Sequence, residues 1–144
     1  MPNINLSRLE NEWVTLQNQY DSYEKCSLAI KLTSVITCCL LLFAMHLGLW
    51  TAPILAILWL QDGIWKTFQN RIGQRLEKIE QAIQVNQQNN HPEVGMQFNI
   101  AWSQSRPNAK GLIVEYVAQS LKPTVAYPYF VLLVLILTHT YVIQ

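Results

Sequence analysis

Between Lys31 and Asp62 the chain carries no charged residue, and after Lys122 it carries none at all. Charged residues make up 13% of its 144 positions against 51% hydrophobic, and the apolar residues gather in blocks. An ordinary soluble domain spreads its charge more evenly, so these blocks indicate segments that lie in lipid. The net charge of +1 gives no general attraction to nucleic acid.

Catalytic signatures are missing as well. No G-x-S-x-G, H-E-x-x-H, P-loop or dinucleotide fingerprint occurs, and no Ser/His/Asp grouping follows from spacing. An enzyme is not expected, and neither a cofactor nor a small-molecule substrate is indicated. Three cysteines are present, Cys26, Cys38 and Cys39. An odd count with a vicinal pair in an apolar run is no disulfide framework, and the paired spacings of a zinc site are absent. They read as soft packing residues. His46 and His139 fall near one predicted membrane face without a carboxylate or thiol in a ligand spacing, so no metal site is expected. His91 lies in a polar linker. Residues 1 to 25 contain no apolar core of a secretory leader and no small-residue cleavage site, so the first apolar block is expected to be a retained anchor.

Glycine and proline are absent from residues 4 to 47. Nothing there interrupts a helix. Ser7-Arg8-Leu9-Glu10 fits a capping box. Leu6, Leu9, Trp13, Leu16, Tyr20 and Tyr23 recur at spacings of three and four, a heptad seam. The expected organisation is an amphipathic cytoplasmic helix over 4–25 running into a first transmembrane helix over 26–47. Lys31 lies near its start, where a lysine can snorkel to headgroups. Gly48 permits a reversal, and Pro53 suits the first turn of the next helix. A second, thinner crossing is expected over 51–68. A second amphipathic helix over 65–85 places Trp65, Phe68, Ile72, Leu76, Ile79 and Ile83 within about 80° of arc.

The two outer seams can be matched. A turn centred near residues 49 and 50 pairs positions whose numbers add to about 99. Tyr20 then meets Ile79, Leu16 meets Ile83, and Glu24 and Asp21 meet Arg75 and Lys78. The expected fold is an all-α integral membrane protein. Its core is one long antiparallel helical hairpin, two membrane crossings that continue into a cytoplasmic coiled coil.

The remainder, 86–122, reads as a cytoplasmic loop with a short strand or helix. Apolar residues alternate from Val94 to Trp102, which predicts a short strand over 94–102. Ala109 to Leu121 fits an amphipathic helix with Ile113, Tyr116, Val117 and Leu121 on one face. A third transmembrane helix is expected over 123–143, with Tyr127, Tyr129 and Phe130 at its entry.

All ten lysines and arginines precede Leu32 or lie between Lys66 and Lys122. The positive-inside rule therefore puts the N-terminus and the middle segment in the cytoplasm and the C-terminus outside. The expected location is the inner (plasma) membrane. By type rather than by shared motif, the chain resembles small bacterial inner-membrane proteins.

Asp62 is the principal candidate. It either pairs with Lys66 one turn on, at the membrane boundary, or acts as an intramembrane acid. Arg71, Arg75 and Lys78 form a basic flank that suits either the helix pair or anionic lipid. Trp13, Trp102 and the 94–102 stretch are candidate contact residues. The function they imply is protein–protein interaction, as an accessory, scaffold or assembly subunit. Its partners are membrane lipids and another membrane protein or a homo-oligomer. The alternative is a self-assembling membrane effector or channel with Thr33, Thr37 and Asp62 lining a pore.

Overall fold

The computed structural model describes residues 4–88, 103 and 108–143. Among these, every regular element is helical. Helix α1 spans Ile4–Cys39, α2 Thr51–Gln88, α3 Ala109–Ser120 and α4 Pro123–Ile143. The strand expected over 94–102, and Trp102 with it, lie outside the described residues.

Helix α1 runs 36 residues without a break, as its lack of glycine and proline allows. It begins at Ile4, so Ser7 and Glu10 lie inside it rather than at its cap. It ends in a π-helical turn, Leu40–Ala44, followed by a single 3-10 turn, Gly48–Trp50, that feeds α2. His46 and Gly48 both take positive φ, 52° and 51°. These two residues make the reversal. Pro53 falls in the first turn of α2, where its missing amide removes no intrahelical bond.

Contacts between α1 and α2 run in opposite sequence directions. The indole of Trp13 donates to Glu80, Gln69 donates to the Tyr20 carbonyl, Tyr23 packs on Trp65, and Ser27 donates to Asp62. The far ends share a core of Leu9, Leu16, Ile72, Leu76, Ile79 and Ala82, with Trp13, Tyr20, Tyr23 and Ile83 against it. A second core joins Cys38 and Leu42 to Leu55 of α2 and to Val125, Tyr129, Leu132 and Ile136 of α4. Helix α2 touches all three other helices and is the centre of the molecule.

The seam residues meet, but not in the expected register. Trp13 with Glu80, Ser27 with Asp62, and Glu12 with Arg75 have numbers adding to 93, 89 and 87 rather than 99. The cause lies in the reversal. The π turn takes an extra residue into the end of α1, and the chain folds back at His46, earlier than Gly48-Leu49-Trp50 suggested. A Cβ on Gly73 would sit 3.3 Å from the Tyr20 ring. Ile79 lies six residues further along α2, about 9 Å at 1.5 Å per residue. With the three native cysteines replaced by serine, a short thiol crosslinker is expected to join Tyr20→Cys to Gly73→Cys and not to Ile79→Cys. The opposite pattern on a gel would restore the register summing to 99.

Two helical segments are long and apolar enough to cross a membrane, Ser7–Ala44 and Pro123–Val142. Only 22% of the most apolar window of each is buried, unlike the interior helix of a soluble core. The segment 51–68 falls short of the same measure. Its apolar run stops at Leu60, and Gln61, Asp62 and Lys66 dilute the rest.

Candidate functional site

The charge-free stretch between Lys31 and Asp62 ends where α1, α2 and α4 exchange polar contacts. Asp62, on α2, is 0% exposed. Ser27 of α1 donates to its Oδ1 at 2.5 Å, and Tyr129 of α4 approaches Oδ2 at 3.3 Å. Lys31 Nζ lies 3.6 Å from Oδ2. A carboxylate shut away from water needs such donors, since leaving it unpaired would cost several kcal/mol. Helical spacing supplies them. Ser27 and Lys31 are one turn apart and share a face of α1, while Asp62 lies on the face of α2 turned to both α1 and α4.

Apolar and small residues close the site. Trp59 stacks on Tyr129 with ring centroids 5.9 Å apart and planes at 14°. Its indole N–H donates to the Ser120 carbonyl at the end of α3, at 2.9 Å. Gly63 faces Ser120 so closely that a Cβ there would lie 1.8 Å from the serine Oγ. The missing side chain is what lets α3 reach α2. Thr67 and Ser120 satisfy their own hydroxyls on carbonyls one turn back, Gly63 and Tyr116.

Lys66 is not the partner of Asp62. It donates to Gln69 Oε1 at 2.7 Å instead, while the shifted register brings Lys31 to the aspartate. Nor do Arg71 and Arg75 form a free basic flank. Arg71 makes a two-point pair with Glu115 of α3, and Arg75 pairs with the buried Glu12 of α1 at 2.9 and 3.2 Å. Hydrogen bonding to Glu115 pushes the Arg71 guanidinium further up from its ordinary value, against the opposing effect of burial. Lys78 is exposed. Trp13 lies half-buried at the far end of the α1–α2 contact, its N–H held by Glu80 at 2.9 Å. The site thus brings Asp62 together with Ser27, Lys31 and Tyr129, none of which sequence reasoning assigned to it. One signal was available: Lys31 and Asp62 are the two charges that bound the charge-free stretch.

The arrangement is a closed clamp. Ser27 and Tyr129 bring hydroxyls to the two oxygens of the carboxylate, and no group of three or more His, Cys, Asp or Glu able to hold a metal occurs among the described residues. Comparison with known protein families, curated proteins and solved structures gives no match. Function must therefore be read from this chain's own surfaces.

The outward surfaces are apolar over long runs. Leu28, Leu32 and Ile36 on α1, Phe43 in the π turn, Ile57 on α2, and Phe130, Val134 and Leu137 on α4 are exposed. A water-soluble monomer rarely carries so much contiguous apolar surface. Helix α3 is turned inside out by the same standard. Ile113, Val114, Val117 and Leu121 point away from the protein, while Gln119 and Ser120 are buried.

Proposed function

We propose that this chain is a small polytopic membrane protein that acts through protein–protein contact, as an accessory, scaffold or assembly subunit of a membrane complex. In this reading α1 and α2 form an antiparallel hairpin anchored in the inner membrane. Their distal halves continue as a coiled pair into the cytoplasm, and α4 crosses with its C-terminus outside. The pairing of the buried Asp62 carboxylate with Ser27, Tyr129 and Lys31 supports a structural rather than a catalytic role for that residue.

One observation carries the reading. At the far end of the α1–α2 pair lies an open groove of about 440 Å³, lined by Glu10, Trp13, Val14, Glu80, Ile83 and Gln84. Its lining includes an indole with its N–H already held, the exposed Val14 and the carboxylates of Glu10 and Glu80. A tryptophan in a shallow apolar groove is the usual kind of hot spot for a helical partner. The two carboxylates fit a partner helix with an apolar stripe flanked by lysine or arginine. The pore-forming alternative is weaker: Asp62, its charged candidate, is enclosed among its partners.

Affinity purification in mild detergent tests the proposal. A stoichiometric membrane partner is expected with the wild-type chain. Val14→Glu, at an exposed position, is expected to weaken its retention, and Trp13→Ala to weaken it by about 30-fold, corresponding to about 2 kcal/mol at a hot spot. A solitary wild-type protein, or a partner held equally by both variants, would count against the groove.

A further inference from the structure

A second cleft, of about 210 Å³, opens between α1 and α2 beside the Asp62 clamp. Lys25, Lys31 and Lys66 surround it, with Glu24, Ser27 and Leu28 completing the wall. We propose that this cleft binds the phosphate headgroup of an anionic phospholipid, whose acyl chain lies along Leu28, Leu32 and Ile36. The inference rests on α1 entering the membrane but not on the identity of any protein partner.

Three features carry it. The first is charge. Three ammonium groups face two carboxylates, Glu24 and Asp62, which leaves the cleft one positive charge in surplus. Lys66 gives one of its three N–H groups to the neutral Gln69 amide, so its charge is not cancelled there. Lysines close together repel one another, and a phosphate placed between them removes that repulsion.

The second feature is position. On α1 the exposed residues just before the cleft are polar, Asn18, Gln19, Asp21 and Ser22, and those after it, Leu32, Val35 and Ile36, are apolar apart from Thr33. The cleft therefore sits where the helix passes from water into lipid, the depth of the headgroup phosphates. Basic pockets between membrane helices on the cytoplasmic side are the usual seats of acidic headgroups. The third feature is shape. Leu28, Leu32 and Ile36 recur every four residues, so they stack on one face of α1 directly below the cleft. They are 57%, 56% and 60% exposed, a continuous apolar strip long enough to seat part of an acyl chain. A free anion would use the lysines and leave this strip idle. The basic flank that the sequence offered for lipid contact has its two arginines engaged with Glu115 and Glu12.

The test is native mass spectrometry of the full chain in mild detergent. Phosphatidylglycerol and phosphatidylcholine of the same acyl length are compared, with inorganic phosphate as a third probe. Phosphatidylglycerol is expected to be retained in preference to phosphatidylcholine. Lys31→Gln and Lys66→Gln are each expected to lower that retention about five-fold, from the usual contribution of a lysine near an acidic lipid surface. Lys25→Gln, at an exposed position that does not bear on folding, should also lower it, and Lys78→Gln should not. Equal retention of the two lipids overturns the proposal, as does phosphatidylglycerol retention unchanged in all three cleft variants. Binding of inorganic phosphate without lipid preference overturns the lipid assignment in favour of a free-anion site. Carbonate extraction of membranes from cells that express the wild type and each variant separates the causes. Extraction of the wild type would overturn the membrane entry of α1, and with it this proposal. Loss of lipid preference in variants that resist extraction supports the cleft.

Discussion

Asp62→Ala is expected to destabilise the fold by about 3–5 kcal/mol, because it leaves two buried hydroxyls without their acceptor at about 1–3 kcal/mol each. The substitution leaves the Ser27 hydroxyl, 1% exposed as a residue, without its acceptor, and Tyr129 loses the same group. Lys31 contributes less to the loss, because it stands 3.6 Å away and its side chain is 23% exposed, enough to turn toward water or headgroups. The hydroxyl contacts therefore decide the magnitude. Asp62→Asn keeps an acceptor oxygen of the same shape and is expected to cost only about 1–2 kcal/mol. Unfolding by a denaturing detergent in mixed micelles, followed by circular dichroism, reads both numbers. An alanine variant within about 1 kcal/mol of the wild type would mean that the joint does not depend on the carboxylate.

Tyr129→Ala should be comparably severe, also about 3–5 kcal/mol, for a different reason. Its ring is 0% exposed and fills the space where α1, α2 and α4 meet, stacked on Trp59. Removing it leaves a cavity that backbone on three helices cannot collapse to fill. Tyr129→Phe isolates the hydroxyl. At 3.3 Å its contact with Asp62 is long for an O–H···O bond, so the expected cost is about 1 kcal/mol or less. A phenylalanine variant as unstable as the alanine variant would show that the hydroxyl, not the packing, holds the joint. The Asp62 and Tyr129 effects share a contact and will not add.

Periodicity made much of the fold legible. The three-and-four spacing of Leu9, Trp13, Leu16, Tyr20 and Tyr23 marked the face of α1 that packs, and Ile72, Leu76, Ile79 and Ile83 marked its counterpart on α2. Which residue meets which was not legible. That depends on where the chain reverses, and the reversal uses a left-handed His46, a conformation that only a few per cent of residues other than glycine adopt. A shift of about two helical turns then replaced Lys66 by Lys31 as the charge facing Asp62. Helix α3 hid its orientation for a similar reason. Its apolar face invites an inward assignment, but Glu115 and Ser120 are the residues taken up by α2. Tertiary pairing with Arg71, Trp59 and Gly63 outweighed the local pattern.

The unbroken course of α1 through the Asp62 joint has a mechanical consequence. Ser27 is a fulcrum, and Trp13 rides at the end of a rigid arm fourteen residues long, about 21 Å at 1.5 Å per residue. A tilt of about 10° at the fulcrum carries Trp13 sideways by about 4 Å, most of the width of a side chain. Leu9 and Leu16 pack on Ile72, Leu76 and Ile79 along that arm, so α2 follows the tilt and the groove moves as a unit.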